Sequence, residues 1–160
     1  MKKVFIVSCL LLLSASTVFA QSERRGSIIG TFGIGGGFST TVETTGMFSF
    51  VFDLNLISKE GVTLSFTDVM GFSSTLEWVS QNIMFGGGYH YMRDKWNIGL
   101  SILLCPTGMD MLIGGKIDGG YYFTENIGLT GVLVYSRTLV NANYDMSIFN
   151  VFAGVSVKPF

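Results

Sequence analysis

Charged residues, cysteine and histidine are scarce in this sequence. Only 13% of the 160 residues are charged, about half the share usual in soluble globular proteins, whereas 48% are hydrophobic. The two cysteines are Cys9 and Cys105, and His90 is the only histidine. Zinc sites built from clustered cysteines are therefore excluded, and a lone histidine is a poor metal site. The low share of charge favours a protein that lies in a membrane.

Long hydrophobic runs are also missing. The apolar run from Val4 to Leu13 has ten residues, whereas a helix needs ~20 to span a bilayer. The longest later candidate, Ile98 to Cys105, is interrupted by Gly99 and Ser101 and is followed by proline. The sequence therefore predicts no membrane-spanning helix.

The first twenty residues have the organisation of a signal peptide. Lys2 and Lys3 form a basic start, an apolar run follows, and small residues at a cleavage site end at Ala20. We predict that residues 1–20 are removed and that residues 21–160 form one domain. The domain is expected in an extracytoplasmic compartment.

Removal of the signal peptide changes both charge and cysteine content. Loss of Lys2 and Lys3 takes the formal net charge from −1 to −3, and loss of Cys9 leaves Cys105 as the only cysteine. No intramolecular disulfide is then possible. A nucleic-acid partner is not expected, because phosphate binding requires a basic surface.

Apolar and polar residues alternate in eight segments of the chain. Between Phe48 and Leu56, one parity is wholly apolar and the other includes Ser49, Asp53 and Asn55, which is the two-residue period of a β-strand. The same period recurs in segments that begin at Ile28, Val62, Asn82, Trp96, Ile113, Ile127 and Phe149. The sequence therefore predicts an all-β protein with eight antiparallel strands.

The predicted connections alternate in length. Short turns are predicted at 58–61, 93–95 and 124–126, and longer loops at 40–45, 68–75, 105–110 and 137–145. Short turns at one rim and longer loops at the other are typical of transmembrane barrels, in which the short turns face the periplasm.

Alternation alone is compatible with apolar residues inside the barrel or outside it. Three features favour lipid outside: the apolar parity carries hardly any charge, small residues dominate the other parity, and aromatic residues gather beside the short turns at Tyr89, Tyr91, Trp96, Tyr121 and Phe123. The first interpretation is an eight-stranded antiparallel up-and-down transmembrane β-barrel. The alternative is a soluble secreted lipocalin-like β-barrel that binds a small apolar ligand.

From Ile28 to Phe160 the chain resembles the small eight-stranded outer-membrane β-barrels of diderm bacteria, typified by OmpX, the OmpA membrane domain and OmpW. The resemblance implies a monomer in the cell outer membrane, in contact with its lipid and inserted by its assembly machinery. Phe160 is similar to the terminal aromatic residue that this machinery reads. It departs from the family in phase, since Val155 and Val157 lie on the opposite parity; a bulge at Pro159 would restore the phase. The implied roles are structural, small-solute transport or surface interaction.

Five glycines between Gly30 and Gly37 match neither a dinucleotide-binding motif nor a P-loop. We interpret them as part of a strand in which Gly33, Gly35 and Gly37 face the lumen. Two interpretations of the inward glycines remain open. Either the interior contains empty or wet volume, or large inward neighbours such as Met84, Tyr122 and Phe152 fill it.

Three charged side chains are predicted to project into the lumen: Asp53, Lys116 and Asp118. Burial of a single charge is very unfavourable, so we predict a network in which Lys116 bridges the two aspartates and plugs the lumen. The alternative is a selectivity constriction in a pore. His90 is placed inside near the short-turn rim. No serine has a nucleophile signature, so we predict no enzyme activity, and neither a cofactor nor a metal is expected.

Overall fold

Eight antiparallel β-strands, paired in chain order, form a closed barrel. The computed structural model describes residues 26–40, 44–73, 78–107, 110–140 and 146–158, so the predicted signal peptide and Phe160 lie outside the described residues. The strands are β1 (Ser27–Thr40), β2 (Thr44–Ile57), β3 (Val62–Phe72), β4 (Trp78–Arg93), β5 (Trp96–Thr107), β6 (Asp110–Tyr122), β7 (Ile127–Val140) and β8 (Ser147–Val157). Within these ranges, no helix is long and apolar enough to cross a membrane. The predicted eight-stranded antiparallel up-and-down barrel is confirmed.

Alternation within each strand decides which side chains face the lumen. In β2, Val51 and Asp53 are 0% exposed, whereas Phe48 on the other face is 42% exposed. In β5, Ile102 is 65% exposed and its neighbour Leu103 is 0% exposed. The outer surface is therefore apolar around the barrel. A soluble lipocalin-like barrel has a polar outer surface, so that alternative is not favoured.

The lumen is filled by two layers of side chains. We call the end of the barrel that carries the turns 58–61, 94–95 and 123–126 the turn rim. The half of the lumen next to it contains polar residues and, at the rim itself, a small apolar cluster of Ile29, Ile57 and Tyr122 with Met92 packed against it. The other half is filled by an apolar plug, which consists of Met47, Val51, Val69, Met84, Leu103, Cys105, Leu112, Val132, Val134, Ile148 and Phe152.

The prediction that the connections are short at one rim and longer at the other is wrong. At the rim opposite the turn rim, the strands leave only 41–43, 73–77, 108–109 and 141–146 between them, so the connections at the two rims are similar in length. Strand β3 continues through Asp68, which pairs with Phe52 of β2 and Ile83 of β4, and the Gln81 side chain donates a hydrogen bond of 2.9 Å to the Asp68 carboxylate. Strand β5 continues through Pro106, which lacks an N–H, because the pairing of β4 with β5 ends at Leu104.

The turn at 58–61 links the rim to the lumen. Gly61 has a φ of 90°, a conformation that other residues rarely adopt. Its carbonyl accepts hydrogen bonds from the His90 N–H at 2.8 Å and from the Thr63 hydroxyl at 3.0 Å. The turn thereby fixes the position of two inward residues on β3 and β4.

Candidate functional site

Four ionisable side chains meet in the polar half of the lumen, and we call them the charged cluster: Asp53 from β2, His90 from β4, and Lys116 and Asp118 from β6. Lys116 Nζ lies 2.7 Å from Asp53 Oδ1 and 3.7 Å from Asp118 Oδ1, and His90 Nε2 lies 2.7 Å from Asp118 Oδ2. None of the four is more than 2% exposed. The structure thus places Lys116 between the two aspartates, with His90 on the far side of Asp118.

A glycine on β5 makes room for the imidazole ring. Gly99 pairs with His90 on one side and with Asp118 on the other. A Cβ on Gly99 would overlap the imidazole ring of His90. Because Gly99 has no side chain, the ring crosses β5 and reaches the Asp118 carboxylate.

Hydroxyl and amide groups complete the hydrogen bonds of the charged cluster. The Asn55 Nδ2 group donates to Asp53 Oδ2 at 2.6 Å, and the Thr67 hydroxyl donates to Asp53 Oδ1 at 2.6 Å. The Asn55 Oδ1 atom accepts from Lys116 at 2.8 Å and from Ser65 at 2.7 Å. With Lys116, Asp53 therefore has three side-chain donors, as a buried carboxylate requires.

Asn55, Ser65 and Thr67 were not predicted as site residues, although the sequence contains a pattern that indicates them. Asp53 faces Thr67 and Asn55 faces Ser65 across the β2–β3 ladder. Each of these pairs is polar and inward-facing on both strands. Cross-strand pairs of polar residues on the lumen parity are thus a usable sign of a buried network.

The arrangement around His90 has the order hydroxyl, imidazole, carboxylate. The Thr63 Oγ1 atom lies 3.0 Å from Nδ1, and Asp118 lies at the opposite nitrogen. Thr63 is only 1% exposed, and its hydroxyl also donates to the Gly61 carbonyl. A substrate has no access to it, so the geometry offers no catalytic nucleophile here. Within the described part of the chain, no group of three or more His, Cys, Asp or Glu side chains is placed to hold a metal.

The inward glycines pack closely against neighbouring backbone or side chains. A Cβ on Gly86 would overlap the Ile102 carbonyl, and one on Gly35 would overlap the Val151 carbonyl. Met84 and Phe152 belong to the apolar plug, as the second interpretation of the glycines anticipated. The glycines allow the walls of a narrow barrel to approach its contents closely.

Two alanine substitutions test this role of the glycines. We expect Gly86→Ala to lower the free energy of unfolding by about 1–3 kcal/mol, the usual cost of overpacking. Gly115 faces outward and a Cβ there meets no atom within 4 Å, so Gly115→Ala is the matched control. We expect its effect to stay within about 0.5 kcal/mol. Urea unfolding of the refolded barrel measures both, and equal effects would contradict the close packing of Gly86.

The fold of this chain is similar to the folds of several solved structures. No protein-family model and no curated protein matches the chain. Neisserial surface protein A is similar in structure, with a TM-score of 0.59 and 12% identity over 82% of this chain and 96% of its own. A designed transmembrane β-barrel has a TM-score of 0.54 and is 14% identical, and the match covers 86% of this chain and 99% of the designed one. The outer membrane protein OprG from Pseudomonas aeruginosa has a TM-score of 0.50 and is 8% identical, and the match covers 86% of this chain and 98% of OprG. The chain therefore has the fold of the small eight-stranded outer-membrane β-barrels.

Proposed function

We propose that this protein is an integral barrel of the cell outer membrane of a diderm bacterium, with a closed lumen and a structural or surface-interaction role. The observation that carries the proposal is an apolar outer surface around a lumen filled with side chains. The predicted signal peptide, residues 1–20, supports export. Phe160 supports recognition by the outer-membrane assembly machinery.

The outer surface suits lipid better than water. Leu64, Leu100, Ile102 and Leu129 are each at least 60% exposed. In water such a belt would be a very large apolar patch, which soluble monomers rarely expose. In a bilayer the same belt contacts acyl chains and exposes no apolar surface to water.

Aromatic residues near the turn rim support the same environment. Trp96 and Tyr121 contact each other with ring centroids 4.8 Å apart and ring planes inclined by 58°, and both are exposed on the outer surface. Tyr89 and Tyr91 are also exposed, at 54% and 55%. Aromatic side chains at this height form the interfacial girdle of membrane barrels, so the turn rim marks one membrane interface.

The filled lumen argues against transport along the barrel axis. Val51 and Leu103 in the apolar plug are 0% exposed, as are Asp53 and Lys116 in the charged cluster. A solute would have to displace both layers, and breaking buried ion pairs costs several kcal/mol. We therefore propose that the protein acts through its outer surface and its rims. It does so as a monomer in contact with lipid.

The proposal predicts a membrane protein without conductance. We expect residues 21–160, refolded in detergent, to migrate differently before and after boiling, and the expressed protein to fractionate with the outer membrane. In planar bilayers we expect neither this protein nor the Lys116→Ala variant to give conductance steps. The band shift on boiling first establishes that each sample is folded.

Two results would contradict the proposal. A soluble protein with identical bands in both lanes would exclude the membrane assignment. A stable conductance that Lys116→Ala alters would show instead that the charged cluster is the selectivity constriction of a pore.

A further inference from the structure

A groove crosses the outer face of the barrel close to the turn rim, and we call it the outer groove. It has a volume of ≈ 510 Å³. Gly119 lines its floor, and its walls are the side chains of Tyr91, Trp96, Ile98, Tyr121 and Leu129. Each of the wall residues is at least 39% exposed, so the outer groove opens to the surroundings of the barrel and not to the lumen.

The floor of the outer groove belongs to a row of small residues that crosses three strands. Gly119 on β6 pairs with Gly131 on β7, and Gly131 pairs with Ala153 on β8. All three have the outward parity of their strands. Tyr121 and Leu129, which pair with each other two positions closer to the turn rim, form a ridge along this row. The apolar belt is therefore indented across β6, β7 and β8.

The barrel itself does not require glycine in this row. A Cβ on Gly119 would lie 3.6 Å from the Asn97 carbonyl oxygen, and one on Gly131 would lie 3.9 Å from the Phe152 carbonyl oxygen. These are ordinary van der Waals distances, whereas a Cβ on the inward Gly86 would overlap backbone. Glycine in a strand interior weakens the strand, because it loses more conformational freedom on folding and packs no side chain. The two outward glycines therefore leave space for a molecule outside the barrel.

The position of the outer groove indicates which molecule fills that space. Trp96 and Tyr121 belong to the aromatic girdle at the membrane interface, and Gly119 lies two residues farther from the turn rim than Tyr121. The outer groove thus begins at the interface and extends toward the centre of the bilayer. None of the described residues that line it is charged, so it suits a hydrocarbon chain better than a polar ligand.

Arg93 provides a cation at the interfacial end of the outer groove. It is exposed, has the same outward parity as Tyr91, and pairs with Trp96 across the β4–β5 turn. Among the described residues, none forms a salt bridge with it. Four neighbouring charged residues line the separate depression of ≈ 500 Å³ at the turn rim, and their charges sum to zero: Asp94, Lys95, Glu125 and Lys158. Because a guanidinium group binds phosphate through two parallel hydrogen bonds, Arg93 is suited to a lipid phosphate at this interface.

We propose that the outer groove is a binding site for one anionic glycerophospholipid. One acyl chain lies over Gly119 between the side chains of Trp96 and Leu129, and Arg93 binds the phosphate. The floor of the groove thereby accepts the chain, and the arginine selects the charge of the headgroup. The inference rests on the proposed function, because it requires lipid around the barrel, and it adds a lipid class and a defined place on the surface.

Trp96 reports on the occupant directly. The chain has two tryptophans, so Trp78→Phe leaves Trp96 as the only one, at the wall of the outer groove. Phospholipids that carry bromine on their acyl chains quench tryptophan fluorescence on contact. The Trp78→Phe protein is refolded into phosphatidylcholine vesicles with a minor share of brominated phosphatidylglycerol, or with the same share of brominated phosphatidylcholine. We expect quenching of Trp96 to show a preference of about fivefold for phosphatidylglycerol, the effect of one arginine near an anionic headgroup.

Three variants in the Trp78→Phe background separate the two contacts. We expect Arg93→Gln to abolish the preference, because it removes the cation. We expect Gly119→Leu, which fills the floor, to lose most of the preference and part of the quenching. Gly115→Leu is the matched control, because a Cβ on this outward glycine meets no atom within 4 Å and Gly115 does not line the outer groove. The band shift on boiling shows that each variant is folded.

The outcomes distinguish this site from the membrane assignment. Equal quenching by the two brominated lipids in the Trp78→Phe protein, or a preference that Gly119→Leu leaves intact, would overturn the site and leave the barrel in lipid. Absence of quenching even in fully brominated vesicles would contradict the proposed function as well. A pair of barrels in detergent that Gly119→Leu separates, detected by sedimentation, would assign the outer groove to a second copy of the chain and overturn lipid binding there.

Discussion

Replacement of Lys116 by methionine is expected to lower the free energy of unfolding by about 3–5 kcal/mol, the cost of removing one partner of a buried ion pair. Lys116 Nζ lies 2.7 Å from Asp53 and 2.8 Å from the Asn55 amide oxygen. Methionine has a similar length and no charge, so it leaves Asp53 buried without a cation. Urea unfolding of the refolded barrel, followed by the band shift on boiling, measures the change.

Two further variants identify the cause. Lys95→Met removes an exposed lysine in the turn 94–95, and we expect its effect to stay within about 0.5 kcal/mol. Asp53→Asn combined with Lys116→Met removes both charges of the shorter ion pair, and we expect it to recover part of the lost stability, because no carboxylate at position 53 is then left without its cation. If Lys116→Met had no larger effect than Lys95→Met, the lumen would be far better hydrated than the buried charged cluster indicates.

The strand pattern of this barrel was predictable because a membrane barrel has a different solvent on each face. Phe48 and Asp53 are close in sequence, but one contacts the exterior and the other the lumen. That difference repeats every two residues, so both the number of strands and the inward direction of Asp53, Lys116 and Asp118 could be deduced. The parity of a residue depends only on local geometry.

Which side chains contact each other inside the lumen depends on distances across the barrel. The alternation along one strand gives no information on those distances. Asp53 and Lys116 are 63 residues apart and lie on strands that do not pair. The contact of His90 with Thr63 depends on the turn that contains Gly61, and its contact with Asp118 depends on the absent side chain of Gly99. The sequence indicated a network, but not the hydroxyl and amide groups that complete it.

The ends of the strands were the least predictable feature. Asp68 and Pro106 interrupt the alternation, and both lie in loops that the sequence predicts, 68–75 and 105–110. In the structure Asp68 stays on the outer face of β3 with Gln81 as its partner, and Pro106 lies beyond the end of the β4–β5 ladder. Whether a polar residue or a proline ends a strand depends on the neighbouring strand, and a single strand does not reveal it.

Substitution of Ile102 by arginine is expected to destabilise the barrel in lipid vesicles by about 2–4 kcal/mol, the cost of arginine near the middle of a bilayer. Ile102 lies in the centre of β5 and is 65% exposed. Its neighbours in the two adjacent strands are Gly87 and Gly115, so the larger side chain meets no bulky neighbour on the outer face. Urea unfolding from vesicles measures the change.

The result identifies the surroundings of the barrel, because nothing within the protein opposes an arginine at this position. If the outer surface met water, Ile102→Arg would replace an exposed apolar side chain by a charged one, with an effect within about 0.5 kcal/mol. Glu125→Arg, in the exposed turn 123–126, is the control that changes charge outside the apolar belt. A large effect at Ile102 with none at Glu125 requires an apolar solvent around β5. Equal, small effects would place the belt in water and exclude the membrane assignment, while the closed lumen would remain unaffected.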